Sequence, residues 1–181
     1  MWIIDPLDGT TNYLHDFPFF CVSIALQHKG RIITGVVYDP VRKELFSAER
    51  GKGARLNGKK IKVSRVRDLK RALVATGFAY DFGKGKNNNI SNFIRFLKTS
   101  QAVRRAGSAA LDLCYVACGR FDGFWEFYLN PWDTAAGSLV LLESGGLATK
   151  TDGSGYTVFD KQILASNLLI HKEMVRVLSG K

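Results

Sequence analysis

The sequence predicts a layered α/β sandwich with α+β character, and three observations predict it. β-rich runs joined by tight turns fill residues 1–70, strands and helices alternate over 71–181, and 46% of the 181 residues are hydrophobic. That composition, with 23% charged residues, suits a globular chain with a sizeable core and excludes a disordered one. One domain is expected over 1–181, made of an antiparallel half (1–70) and an α/β half (71–181).

Each element has its own signal. Trp2–Ile4 is an apolar run, and Pro6 is expected to stop its ladder by fixing φ and removing a donor. Phe19–Gln27, Ile32–Asp39 and Glu44–Ala48 are strands separated by Lys29-Gly30 and Pro40, a meander pattern. Asn57-Gly58 marks a tight turn between short strands near Leu56 and at Ile61–Val63. Leu73–Thr76, Ala102–Arg105, Gly123–Glu126, Leu147–Lys150 and Ile163–Ala165 carry strand patterns. Between them, Ile90–Lys98, Ser108–Cys118 and Pro131–Ser144 are helical, the last ended by Gly145-Gly146, and Ile170–Leu178 closes the chain as a helix. Asp81–Asn89 is polar and glycine-containing, a mobile loop by its composition.

Bulk features narrow the function. No apolar run approaches the ~20 residues of a membrane span, so no membrane partner is expected. Cys21, Cys114 and Cys118 cannot pair evenly and lack metal-ligand spacing; Cys114 and Cys118, one helical turn apart among apolar residues, fit small core side chains, and a reducing, cytoplasmic setting is expected. The net charge is +10, and ten of the 26 basic residues fall between Arg50 and Arg71 with Asp68 as the one acid. Such a surface concentrates anions, phosphate esters or nucleic acid alike, although no aromatic residue in the stretch could stack on a base.

The most informative stretch is Trp2-Ile3-Ile4-Asp5-Pro6-Leu7-Asp8-Gly9-Thr10-Thr11. A strand runs into a turn that Pro6 and Gly9 allow to fold Asp5 and Asp8 toward one point, with the Leu7 carbonyl between them. Two carboxylates and a carbonyl are hard oxygen ligands suited to Mg²⁺. Thr10 stands where a hydroxyl can cap amides or orient a water. An EF-hand fails here, since Leu7 and Asp16 occupy positions that need other ligands. A haloacid-dehalogenase-type phosphatase needs its two aspartates two residues apart, and here the spacing is three. Asn130-Pro131-Trp132-Asp133 opens a helix, with Asn130 at the cap and Pro131 in the first turn. Asp133 can cap that helix or supply a third metal ligand, and Ala135, Ala136 and Gly137 would let another element approach closely.

Together, Asp5-Pro6-Leu7-Asp8-Gly9-Thr10 after a Trp-led strand and Trp132-Asp133-Thr134-Ala135-Ala136-Gly137 before Gly145-Gly146 resemble the two signatures of the inositol monophosphatase family. Arg104-Arg105-Ala106-Gly107-Ser108-Ala109-Ala110-Leu111-Asp112, Asp122-Gly123-Phe124-Trp125-Glu126 and Gly51-Lys52-Gly53-Ala54 resemble its bacterial branch. The resemblance implies a sugar-phosphatase fold and Mg²⁺-dependent, lithium-sensitive hydrolysis of a phosphorylated polyol or sugar by metal-activated water. It implies that Asp5 bridges two ions, that the Leu7 carbonyl binds one, and that Asp8 and Asp133 bind the other. Catalytic roles fall to Asp5, Asp8, Thr10 and Asp133. Substrate contacts fall to the Leu7–Thr10 turn with Asp133, and to Arg104, Gly107, Ser108, Ala109 and Glu126, the last accepting sugar hydroxyls.

The resemblance also implies helices and a hairpin bearing a catalytic glutamate upstream of Trp2; Glu44, Glu49 and Glu143 match nothing of that motif. The expectation is therefore weak or absent activity for this chain alone and an apolar face left uncovered. The family usually forms homodimers. Fructose-1,6-bisphosphatase or nucleotide 3′-phosphatase activity, and a non-catalytic module contacting RNA or a transcription complex, are the alternative functions.

Overall fold

The computed structural model describes residues 1–78 and 89–180. Of the loop expected over Asp81–Asn89, all but Asn89 lies outside the described residues.

Six strands form the first sheet in chain order: β1 (Trp2–Asp8), β2 (Cys21–His28), β3 (Arg31–Asp39), β4 (Glu44–Glu49), β5 (Ala54–Leu56) and β6 (Lys59–Lys60), every neighbour antiparallel. A short helix, α1 (Thr10–Leu14), follows β1. The second sheet is mixed, ordered β10 (Leu147–Thr149), β11 (Gln162–Ser166), β9 (Gly123–Phe127), β7 (Leu73–Thr76), β8 (Ala102–Arg104). β7 runs parallel to both β8 and β9, and the remaining pairs are antiparallel. Helices α2 (Ile90–Thr99), α3 (Ala109–Ala117), α4 (Pro131–Glu143) and α5 (His171–Ser179) complete the chain.

The elements stack in four layers. α4 touches β1 to β5 and α3, while α3 also meets β9 and β11, so these two helices fill the space between the sheets. α2 and α5 contact each other and cover the far face of the second sheet through β8 and β11. The two-residue period of the strands divides the core accordingly. Ala75, Phe124, Ile163 and Ala165 face the α3/α4 layer; Val74, Trp125 and Leu164 face α2 and α5. There Phe96 of α2 stacks on Trp125, ring centroids 3.9 Å apart. α3 is buried along its whole length, as its run of Ala, Leu, Cys and Val requires. Cys21 and Cys114 are buried core thiols. The small stretch of α4 acts as expected: a Cβ on Gly137 would come within 2.8 Å of the Leu113 side chain, so the glycine lets α3 and α4 close up.

Two sequence expectations need correcting. Pro6 does not end the first strand. β1 pairs with β2 at Asp5↔Ser23 and again at Asp8↔Cys21, so Pro6 and Leu7 oppose the single residue Val22 in a bulge. Nor is Ile61–Val63 a strand: the ladder ends at Lys60, and the Val63 amide donates instead to the Ser144 carbonyl after α4. Glu143, at the end of α4, accepts from the amides of Gly51 and Gly53 and holds the turn between β4 and β5.

Candidate active site

The bulge is what assembles the acidic corner. In a regular strand, residues three apart point to opposite faces. Ser23 and Cys21, both buried, lie two apart on the inner face of β2, and cross-strand partners share a face. The extra residue therefore brings Asp5 and Asp8 to the same side, toward α3 and α4. Gly9 follows with φ 90°, and a Cβ there would sit 2.9 Å from the Phe19 carbonyl oxygen, so the sharp turn into α1 requires glycine.

Three loop-to-helix junctions meet this corner. Ser108 is the N-cap of α3, its hydroxyl oxygen accepting from the Leu111 amide and donating to Asp8 Oδ2 at 2.7 Å. Asp8 Oδ2 also accepts from the Ala110 amide at 2.8 Å. At the start of α4, Asp133 Oδ2 accepts from the Asn130 amide at 2.6 Å. Asp5 Oδ1 takes the Leu7 amide at 3.0 Å and pins the bulge. Thr10 does not cap amides; its hydroxyl donates to the Leu7 carbonyl at 2.9 Å. Asn12 of α1 donates to Phe19 and Ala106 carbonyls and so ties this corner to the segment before α3.

Asp5, Leu7, Asp8, Gly9, Thr10, Gly107, Ala109, Glu126 and Asp133 all line one cavity of about 370 Å³. Two expected contacts are placed differently. Arg104 is exposed, bonded to its neighbour's carbonyl, and does not line the cavity, whereas Arg105 does. Ser108 is buried behind the wall and acts on Asp8. Gly77, Phe127, Tyr128, Asn130 and Trp132 also line the space. Gly77 makes room for Glu126, since a Cβ there would fall 2.2 Å from the Glu126 carboxyl. Asn89 locks the strand ends nearby: its amide nitrogen donates to Thr76 Oγ1 and the Gly77 carbonyl, and its oxygen accepts from Trp125 Nε1. No local pattern flags Gly77, and Asn89 looks like one more polar loop residue until its partners are known.

Gathered carboxylates repel. Burial, with Asp5 and Asp133 nearby, pushes Asp8 up to about 7 against the pull of Ser108 and Ala110. Burial and the charges of Asp8 and Asp133 push Glu126 up to about 8, opposed by Arg105. Asp133 is raised by burial too. A cation would relieve this. Among the described residues Asp5 Oδ2, Asp8 Oδ1 and Asp133 Oδ1 take no hydrogen bond, so each side chain gives one oxygen to the scaffold and keeps the other for a ligand. Hard oxygens of this kind suit a divalent ion such as Mg²⁺. Among those residues no three Asp, Glu, His or Cys side chains already form a closed metal cluster. The remaining coordination would come from the Leu7 carbonyl, water and a bound phosphate, as Mg²⁺ prefers.

The family model for the inositol monophosphatase family matches residues 1–179. The chain belongs to that family. It is 48% identical over 179 residues to an inositol-1-monophosphatase of Synechocystis sp., covering 99% of this chain and 62% of that protein. It is 45% identical over 182 residues to the Nus factor SuhB of Pseudomonas aeruginosa, covering 98% and 66%. The inositol monophosphatase structure from Anabaena (Nostoc) sp. PCC 7120 superposes with a TM-score of 0.97 at 48% identity, over 99% of this chain and 71% of that one. The two-sheet architecture is thus that of inositol monophosphatases. The chain spans a little under two thirds of the Synechocystis relative. No helix among the described residues is long and apolar enough to cross a membrane.

Proposed function

We propose that the chain carries the metal and phosphate site of a Mg²⁺-dependent phosphatase acting on a sugar or polyol phosphate monoester of the inositol 1-phosphate kind. One observation carries this reading: Asp5, Leu7, Asp8 and Asp133 converge on one cavity, each carboxylate keeping an oxygen for a ligand. Bound Mg²⁺ would neutralise the phosphate and lower the pKa of a water, the main sources of phosphoryl-transfer catalysis. Asp5, Asp8, Asp133 and the Leu7 carbonyl would hold it. Thr10, its proton already given to the Leu7 carbonyl, has lone pairs left to accept from a water and orient it. The Gly9 and Thr10 amides offer donors to phosphate oxygens. On the alcohol side stand Gly107, Ala109, Arg105 and Glu126.

The test is calorimetric titration of inositol 1-phosphate with and without Mg²⁺, followed by a phosphate-release assay. Ester binding and phosphate release should both require Mg²⁺ and vanish in Asp5→Asn. Binding indifferent to both Mg²⁺ and Asp5→Asn would overturn the proposal.

A second reading has an observation of its own. All ten basic residues from Arg50 to Arg71 are exposed, and relatives include proteins named Nus factor SuhB. Contact with RNA or a transcription complex would show as RNA binding that weakens steeply with salt and survives Asp5→Asn. RNA binding absent even at low salt removes it.

A further inference from the structure

Tyr128 holds φ at 64°, the left-handed region where a β-carbon crowds the backbone and residues other than Gly, Asn and Asp are uncommon. It stands just past the end of β9, two residues beyond Glu126, and lines the cavity with 51% of its surface exposed. The backbone turn seats the next residue, since Leu129 is buried and its amide donates to the Lys161 carbonyl, while the Tyr128 side chain is left at the cavity with no partner of its own among the described residues. Among the described residues the ring stacks on no other aromatic, and the hydroxyl has no hydrogen-bond partner. Strained, exposed residues of this kind gather where a ligand is held.

We propose that Tyr128 is a specificity-determining residue whose ring is a wall for the leaving alcohol, selecting phosphate esters of cyclic alcohols over open-chain ones. This rests on the phosphatase reading above. An alcohol whose hydroxyls reach Glu126 lies beside the residue two positions on, and a cyclic alcohol presents a flat C–H face to it. Trp132, 45% exposed at the start of α4, contributes a further apolar surface to the same lining. An open-chain alcohol has no such face and loses more freedom on being ordered.

The experiment measures equilibrium binding of myo-inositol 1-phosphate and glycerol 2-phosphate to the full chain in Mg²⁺. It compares wild type, Tyr128→Phe and Tyr128→Gly. Wild type and Tyr128→Phe should favour the cyclic ester. Tyr128→Gly, which removes the ring and relaxes the backbone, should lose about fivefold of that preference through weaker binding of the cyclic ester. Its melting temperature should equal or exceed that of wild type, which separates loss of the wall from misfolding. An unchanged ratio in Tyr128→Gly overturns the assignment to Tyr128 alone. Failure of wild type to bind either ester overturns this assignment and the phosphatase reading together.

Discussion

The Ser108 hydroxyl donates to Asp8 Oδ2 at 2.7 Å, so the residue that starts α3 also fixes the carboxylate of the β1 bulge, 100 positions away in the chain. Ser108→Ala removes a helix cap and an anchor in one step. The expected loss is about 1–2 kcal/mol of stability. Because Ser108 holds the Asp8 pKa down, the variant should also keep Asp8 more fully protonated at pH 7 and bind Mg²⁺ more weakly. Urea unfolding and Mg²⁺ titration measure the two effects; a variant that loses stability yet keeps full Mg²⁺ affinity would speak against the anchoring role.

The crowded carboxylates make the cation-free protein alkali-sensitive. Asp8 and Glu126 have folded pKa values raised to about 7 and about 8, above the ordinary values 3.8 and 4.5. A raised folded pKa means stability that is fully present below the unfolded value and lost as pH climbs through the folded one. Between about pH 4 and 8 the cation-free chain should lose stability steadily as first Asp8 and then Glu126 is forced to ionise. Mg²⁺ should flatten that slope and release protons as it binds near pH 7. Denaturation series in EDTA and in Mg²⁺, run across this range, decide the matter; parallel slopes would contradict a shared cation site.

His171 has the opposite sign. Its Nε2 meets Thr149 Oγ1 and its Nδ1 meets Ser166 Oγ. Thr149 gives its proton to the Lys150 carbonyl, so Nε2–H is the donor and Nδ1 the acceptor. Burial of the ring lowers its pKa to about 4. The unfolded chain therefore binds this proton first, and stability should fall by about 2 kcal/mol between pH 6.5 and 4, allowing for residual hydration of the ring. His171→Gln should show no such step relative to wild type, the carboxylate slope being common to both. An NMR titration placing the imidazole near 6.5 would refute this.

Gly77→Ala tests the seating of Glu126. The atoms nearest a Cβ at this position are the far end of the Glu126 side chain, which can swing aside, so the fold should survive. The displaced carboxyl should raise KM for a polyol phosphate about tenfold with little change in kcat, the mark of lost ground-state binding. Equal losses in both constants would count against a positioning role.

Much of this architecture can be read from periodicity and punctuation. Strands of the first sheet show as alternating apolar runs, and α3 and α4 show as capped starts followed by small and aliphatic residues. Two motifs far apart in sequence announce their aspartates through the proline, glycine and cap residues around them. What stayed hidden depends on partners. Whether Pro6 ends a strand or bulges it is decided by how many residues of β2 stand opposite, here Val22 alone. Which of Arg104 and Arg105 reaches the cavity turns on the exit from β8, and neighbouring identical side chains carry no signal for that. Asn89 and Gly77 matter through Trp125, Thr76 and Glu126, contacts that exist only once β7 and β9 lie side by side.

The middle layer has a further consequence. α3 and α4 both begin at the cavity and both run into the space between the two sheets. An anion bridging their first turns would tether two helices that touch both sheets, so occupancy of a small site would be felt as slower opening of amides deep inside the molecule. Ligand affinity and resistance to proteolysis would then rise and fall together, and substitutions in the interior of either helix would surface as altered binding far from where they were made.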